Sequence, residues 1–186
     1  MSSTNLYSIL RAGFPDDLDG TAIETVAETP LHYTWRDIER ATAMLANLLD
    51  SLDLPSGARI AVQADKSVES LLFYLAVLRA GHVYLPLNTA YKSDEIGYFI
   101  GDAEPAVFVC APKDFVWASK LAFAAGTSFV FTLGDDHSGS LLERATHFAD
   151  SHTPAPCEAT NRPCTWKIGR AWISTSPPSA GVRQPQ

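Results

Sequence analysis

The chain has 186 residues, a hydrophobic fraction of 46% and a formal net charge of −7. This length predicts a single folded domain, and the acidic balance argues against nucleic acid or an anionic membrane surface as a partner. The three cysteines lack metal-ligand spacing, the first residues show no secretory signal pattern, and the apolar runs are too short to cross a bilayer, so we predict a cytoplasmic chain.

The first strong pattern is an amphipathic helix over 34–52. Thr34 and Asp37 form a capping-box pattern at its start, and leucines and alanines follow at helical spacing. The run 59–64 then predicts a strand, which a second helix follows, with Ser67 as its cap and Gly81 as its left-handed end. This second helix is apolar on all sides in its middle, so we expect it to be buried.

A further strand over 83–85 stops at Pro86, because proline cannot donate to a sheet ladder. The region 59–85 is therefore predicted to be a β-α-β unit. Later elements are a helix capped by Ser93 and stopped by Gly101, a strand (105–110), a helix (114–126), a strand (128–133) and a helix (140–150). This alternation predicts an α/β fold with a layered, mostly parallel sheet and flanking helices.

The end of the chain has a different composition. Residues 151–186 contain six of the 12 prolines, and their four basic residues face a single glutamate, so they carry +3 while the preceding 150 residues carry −10. They show neither helical nor strand periodicity. We predict a folded domain over 1–154 and a proline-rich, disordered tail over 155–186.

A family resemblance rests on the stretch from "YTWRDIERATAMLANLLDSL" to "EIGYFIGDAEPAVFVC", and above all on "LRAGHVYLPLNTAY". The chain resembles the amino-terminal region of AMP-forming acyl-CoA synthetases, in the adenylating-enzyme superfamily, over about Leu6 to Glu158. The resemblance is strongest to the malonyl-CoA synthetase branch. It implies that this chain is an amino-terminal portion of a catalytic lobe.

The resemblance also implies a reaction in two steps. A carboxylate attacks the α-phosphate of Mg-ATP to give an acyl-adenylate and pyrophosphate, and the thiol of coenzyme A then displaces AMP. Backbone amides and a lysine must hold the phosphates. In the family these come from a Ser/Thr/Gly-rich loop that is expected just past residue 160.

The tail does not match that loop. "STSPPSAG" has a similar composition, but Pro177 and Pro178 lack the N–H groups and no lysine follows. We therefore assign no catalytic, cofactor-binding or metal-binding residue to this chain, and predict that it is catalytically incomplete. ATP, Mg and coenzyme A are implied only for a complete family member. The abrupt change near residue 155 suggests a frame change or a truncated reading frame, and a continuous transcript that ends naturally there would refute this.

Several residues have a possible functional role and also a structural explanation. Lys66 could face a ligand at the carboxyl edge of the sheet, but a solvated lysine at a helix start explains it. Asn88 and Thr89 could line a cleft, although turn formation accounts for both. Cys110 reads as a buried, inert thiol. Ser67 and Ser93 read as helix caps.

Two sets of residues are of the types that bind metal ions. Asp135, Asp136 and His137 could hold a cation, but they lie in a glycine-flanked turn where acidic residues are common. The histidines are scattered without ligand spacing: His32, His82, His137, His147 and His152.

Three functions remain open from the sequence. The first is the front part of a ligase that joins a malonate-like carboxylate to coenzyme A. The second is a non-enzymatic remnant that associates with itself or another chain through uncovered apolar surface. The third is a Rossmann-like nucleotide-binding module, against which the lack of a G-x-G-x-x-G motif counts.

Overall fold

The computed structural model describes residues 5–156, which form twelve helices and strands and a short 3₁₀ turn (Pro112–Asp114). The helices and strands are α1 (Leu6–Arg11), β1 (Thr21–Glu24), β2 (His32–Thr34), α2 (Trp35–Asp50), β3 (Arg59–Gln63), α3 (Val68–Arg79), β4 (Val83–Pro86), α4 (Ser93–Ala103), β5 (Val107–Cys110), α5 (Phe115–Ala124), β6 (Phe129–Thr132) and α6 (Ser140–Ala145). No helix in this part of the chain is long and apolar enough to span a membrane.

The main sheet has four parallel strands in the order β4-β3-β5-β6. In the centre, Ile60 of β3 lies opposite Tyr84 of β4 on one side and Val107 of β5 on the other. The β-α-β unit at 59–85 and the α/β fold with a mostly parallel sheet are therefore confirmed. β3, β5 and β6 are one or two residues shorter than predicted, because fewer residues join the ladder. β4 is one residue longer than predicted, since Pro86 is its last residue and lies opposite Val62.

Successive residues of the strands point to opposite faces of the sheet, and each face has its own core. Ile60, Val62 and Val109 belong to a larger cluster with α2, α3 and α6. Ala61 and Phe108 belong to a smaller cluster with α4 and α5. The sheet is thus a central layer with helices on both sides.

Two capped helices agree with the sequence. Thr34 accepts from the backbone of Asp37 and forms a capping box with it, and Ser67 does the same with Ser70. Gly81 follows α3 with a φ of 77°, as a left-handed terminator should. α3 is largely buried as predicted, although Leu71 is exposed.

The prediction for α4 was wrong at both ends. The cap is Lys92, whose backbone N–H donates to the Glu95 carboxylate at 2.6 Å, and Ser93 is already the first helical residue. The helix also continues past Gly101 to Ala103 and ends at Glu104, which has a φ of 45°. A glutamate at the third helical position can cap from inside the helix, so the residue at the cap need not be serine.

Two further features differ from expectation or were not expected. α6 ends at Ala145 rather than at residue 150. The antiparallel pair of β1 and β2, with an irregular register between Thr21 and Ile23, had no counterpart in the sequence analysis. The prediction of a disordered tail over 155–186 concerns residues that lie, apart from the first two, outside the described part of the chain.

Candidate functional site at the carboxyl edge of the sheet

A cleft of about 630 Å³ opens where β3 and β4 end. Lys66, Asn88 and Thr89 all line it, so the structure brings together the three residues that the sequence singled out as ligand-facing candidates. Lys66 is exposed and pairs with no carboxylate among residues 5–156. The volume falls in the range of about 300–1,000 Å³ that small-molecule sites occupy.

The wall formed by the β4–α4 loop is held by Gln63, the last residue of β3. The Gln63 side-chain amide donates to the carbonyls of Asn88 at 3.1 Å and Tyr91 at 3.0 Å. Gln63 is only 3% exposed, and its Oε1 atom has no hydrogen-bond partner among the described residues. A buried side chain therefore sets the path of the loop that carries Asn88 and Thr89.

Turn formation, the structural interpretation of Asn88, is also observed. Its Oδ1 accepts from the backbone N–H of Ala90 at 2.9 Å, and Tyr91 at the end of the turn stacks on Phe99 with ring centroids 5.1 Å apart. Asn88 thus shapes the turn while it faces the cleft. The turn interpretation is therefore confirmed, while a role in the cleft of a complete enzyme stays a prediction.

The serines near the cleft are engaged in helix capping. Ser67 Oγ accepts from the backbone N–H of Ser70, and Ser70 Oγ accepts from the N–H of Ser67 and donates to its carbonyl. Ser70 lines the cleft, but its hydroxyl is occupied by these bonds. Neither serine is arranged as a nucleophile, because no base within the described part of the chain forms a hydrogen bond with it.

The gap between β3 and β5 is the switch point of the sheet, since the helices that follow these two strands lie on opposite faces. Asp65 and Lys113 lie on either side of it, with Oδ2 and Nζ 3.9 Å apart. Both side chains are well exposed, so this ion pair adds little stability. Lys113 was missed by the sequence analysis, because it lies in the short 3₁₀ turn between β5 and α5.

What the cleft offers chemically is a cation, a carboxylate and neutral hydrogen-bonding groups. Lys66 can attract an anionic group, and Asn88 and Thr89 can hydrogen-bond to a polar ligand. Lys113 does not line the cleft and is linked to it only through its pair with Asp65. These groups can hold a small polar molecule, but among them we find no activated nucleophile. The site is suited to binding rather than to covalent chemistry.

A second polar cluster surrounds Glu69 at the start of α3. Its Oε1 atom accepts from the Tyr33 hydroxyl at 2.9 Å and lies 2.7 Å from His137 Nδ1. Burial raises the pKa of Glu69, but hydrogen bonds from its own backbone amide, His137 and Tyr33 outweigh this, so the pKa lies below its usual value. Burial, with a smaller contribution from Glu69, raises the pKa of Tyr33 to about 12.

The contacts of two of these side chains bear on the metal hypothesis for Asp135, Asp136 and His137. His137 turns to Glu69, while Asp136 accepts from the hydroxyl of Ser138 in a local turn. Among residues 5–156, no three His, Cys, Asp or Glu side chains are placed to share a metal ion. The Tyr33–Glu69–His137 contact could not be found from the sequence, since its members are far apart in the chain.

The remaining candidates lie apart from the cleft. His82 is buried, which lowers its pKa, and His152 Nε2 lies 2.9 Å from Asp50, while His32 and His147 are exposed. Cys110 is fully buried in the smaller core, and burial, with a lesser effect of Asp114, raises the pKa of its thiol to about 12. This agrees with the prediction of an inert thiol.

The fold and the cleft together define an α/β protein of the doubly wound type, with a ligand-sized opening at the carboxyl edge of its sheet. Residues 17–163 match the family model described as AMP-binding enzyme. The chain therefore belongs to the AMP-binding enzyme family, and the family part of the resemblance is confirmed.

Individual relatives show how far the similarity extends. ATP-bound MatB from Rhodopseudomonas palustris has a TM-score of 0.79 and 39% identity, over 85% of this chain and 31% of that one. The probable CoA ligase CCL9 of Humulus lupulus is 24% identical over 162 residues, which is 87% of this chain and 30% of the relative. The chondramide synthase cmdD of Chondromyces crocatus is 31% identical over 104 residues, 56% of this chain and 3% of the relative. This chain thus spans less than a third of each of these proteins.

Proposed function

We propose that this chain is the amino-terminal portion of an AMP-forming acid–CoA ligase that acts on a malonate-like carboxylate. The observation that carries the proposal is the similarity to MatB, which combines 39% identity with a TM-score of 0.79 over 85% of the chain. The match to a probable CoA ligase over 87% of the chain supports the same reaction class. The proposal includes a cytoplasmic location, based on the composition and the cysteine pattern.

In this proposal the described residues contribute a scaffold and one wall of a binding site. The cleft supplies the ammonium group of Lys66 and the hydrogen-bonding groups of Asn88 and Thr89. The groups that hold and activate the triphosphate belong to a part of the ligase that these residues do not provide. The complete reaction would use ATP, Mg and coenzyme A, and this chain alone would not turn over.

The direct test is to join residues 1–156 to the remaining part of R. palustris MatB. We expect the hybrid to release AMP from ATP when malonate and coenzyme A are present, and much more slowly with acetate in place of malonate. The unfused 186-residue chain is the control and should release none. A hybrid that is folded, as judged by circular dichroism, but that releases AMP with none of the carboxylic acids tested would refute the proposal.

Calorimetry with ATP separates this proposal from the Rossmann-like module. A partial scaffold should bind ATP weakly or not at all, because it lacks the phosphate-holding donors. Tight binding by the 186-residue chain would favour the nucleotide-binding module instead.

A second candidate, self-association, is favoured by the outer side of α5. Phe115, Val116 and Phe123, which we call the α5 surface, are 41%, 68% and 55% exposed. Three large apolar side chains exposed on a single ten-residue helix indicate a surface that another protein surface covers. Sedimentation at rising concentration tests this, and a monomer throughout would contradict it.

A further inference from the structure

After α6 the chain returns along α2 to the end of α3, and we call residues 149–155 the return segment. The rest of the fold holds both its backbone and two of its side chains, since Asp150 pairs with Arg40 at 2.7 Å and His152 Nε2 lies 2.9 Å from Asp50. The Asn47 side-chain amide donates to the carbonyls of Ala149 at 2.8 Å and Ser151 at 2.9 Å. Asn5 donates from its side chain to the carbonyl of Ala155 at 3.0 Å, and Ala155 N–H donates to the carbonyl of Arg79 at 2.9 Å.

Arg79, the last residue of α3, lies beneath this segment and is 4% exposed. Its Nη1 atom donates to the Tyr7 hydroxyl at 2.9 Å, the Thr42 hydroxyl at 3.1 Å and the Glu39 carbonyl at 2.9 Å. Its Nη2 atom donates to the carbonyl of His152. One guanidinium group therefore joins α1, α2, α3 and the return segment.

The environment of Arg79 is unusual for a charged group. Its hydrogen bonds go to neutral oxygens, and its Cζ atom lies 4.8 Å from the centroid of the Tyr7 ring. No carboxylate among the described residues forms an ion pair with it. Burial accordingly lowers the pKa of Arg79 from its usual value. A buried cation without a carboxylate partner is unfavourable, so the bonds it makes must compensate for its loss of hydration.

The close approach of Gly81 and Ala155 is a second, independent restraint on the path of the return segment. Gly81 has a φ of 77°, and a Cβ atom built on it would lie 3.1 Å from the Cβ atom of Ala155. The return segment thus passes directly over the glycine that ends α3. Any side chain at this position would push Ala155 away from Arg79.

We propose that Arg79 is a positioning residue that fixes the point, at Ala155, from which the chain continues beyond the return segment. The contacts of Arg79 and Asn47 are made to backbone carbonyls, so they do not depend on the side chains of residues 149–155. The side chains of Asp150 and His152 add two further contacts. If the proposed function is right, Arg79 also fixes where the remaining part of the ligase starts relative to the cleft. The positioning itself does not require that function.

The test measures the position of the chain just past Ala155 in the full 186-residue protein. With Cys157 and Cys164 replaced by serine, Pro156→Cys places the label at the last described residue, since Cys110 is buried. Lys120→Cys provides a reference label on the far side of the sheet. Electron-spin distance measurements should give a narrow distribution. In Arg79→Gln we expect a distribution about twofold wider, because the bonds from the guanidinium to the return segment and to α1 and α2 are lost.

Two controls distinguish positioning from a general loss of stability. Arg40→Gln removes an exposed ion pair to Asp150 on the same segment and should leave the distribution unchanged. Arg79→Lys should lie between the native protein and Arg79→Gln, because an ammonium group cannot span the same acceptors. An unchanged width in Arg79→Gln, or equal broadening in Arg40→Gln, would overturn the proposal.

If Arg79→Gln does not fold, a pair of glycine variants decides the question. Gly81→Ala and Gly57→Ala both place alanine at a left-handed φ, but a Cβ on Gly57 would meet nothing within 4 Å. We expect the Ala155 amide hydrogen to exchange about tenfold faster in Gly81→Ala than in Gly57→Ala, and Ala155→Gly to reduce that difference. Equal exchange in the two variants would show that the contact at Ala155 has no positioning effect, and would overturn the proposal.

Discussion

On one face of the sheet, α2, α3 and α6 bury Phe73, Val77 and Leu141 completely, whereas on the other face α5 leaves Val116 and Phe123 more than half exposed. Both faces are apolar at the strands, so the difference lies in the helices that cover them. α2 is strongly amphipathic, with its apolar side inward, while α5 has apolar residues on its outer as well as its inner side, with Lys120 as its one charged residue. The helices of the first face bury the larger core, and the second face presents the apolar side chains of α5 to the outside.

The largest expected effect comes from removing one aromatic ring on each face. Phe73→Ala should lower the free energy of unfolding by about 3–5 kcal/mol, because a fully buried ring leaves a cavity. Phe123→Ala on the α5 surface should change it by about 0.5 kcal/mol or less. Urea unfolding of both variants measures this, and similar losses would show that the two faces are equally packed.

A smaller effect is expected from the buried carboxylate on the covered face. Since the pKa of Glu69 is lower in the folded protein, its contribution is present at neutral pH and is lost as the pH falls through that lowered pKa. Glu69→Gln should therefore destabilise by about 1–3 kcal/mol near pH 7, and by progressively less as the pH falls through the lowered pKa. Melting temperatures across this range measure the difference.

A matched control for Glu69 is Asp19, whose pKa the hydrogen bond from Arg36 also lowers, but whose side chain is well exposed. Asp19→Asn should show little pH-dependent change in melting temperature, because solvent screens exposed pairs. A pH profile for Glu69→Gln that runs parallel to the native one would contradict the prediction.

A substitution on the α5 surface should change stability still less, but it should change self-association. Val116→Glu should alter the free energy of unfolding by less than about 0.5 kcal/mol, because the side chain is exposed. It should also lower any self-association seen by sedimentation at high concentration. Lys120→Glu on the same helix changes charge without removing apolar surface, and an equal effect there would point to charge rather than to apolar contact.

The smallest effect concerns the strands beneath the less covered face. With Cys157 and Cys164 replaced by serine, Cys110 should react with an alkylating reagent only when the domain opens, because its thiol is buried and its pKa is raised to about 12. The labelling rate should rise with urea in step with global unfolding. Rapid labelling without urea would show that α4 and α5 leave the sheet readily.

The elements that the sequence predicted well are those with a strong local pattern. Thr34, Asp37 and the leucines of α2 specify a helix without help from distant residues, and Ser67 and Gly81 delimit α3 in the same way. α1, β1 and β2 are short, so their formation depends on tertiary contacts with the rest of the fold rather than on their own sequence. α6 ends earlier than predicted. Beyond its end, the carbonyls of Ala149 and Ser151 accept from the side chain of Asn47, about a hundred residues earlier in the sequence.

The residues of the candidate site fall into the same two groups, those that a local pattern indicates and those that depend on distant contacts. Lys66, Asn88 and Thr89 could be suggested from the sequence, because carboxyl ends of parallel strands meet at one edge. Gln63, Glu69 and Arg79 could not, since their partners include residues 25 to 73 positions away. Nothing in the local sequence distinguishes a buried polar residue with distant partners from an ordinary one on a helix surface.

The strand order has a consequence for how the protein is made on the ribosome. β3, the first strand of the sheet to be synthesised, lies inside it, and β4, β5 and β6 each pair with a strand that has already emerged. Translation needs roughly 2–10 s to proceed from Ile60 to Val107, so one edge of β3 stays unpaired for that time. Vectorial synthesis thus makes the nascent polypeptide most open to chaperone binding or mispairing in the interval before β5 appears.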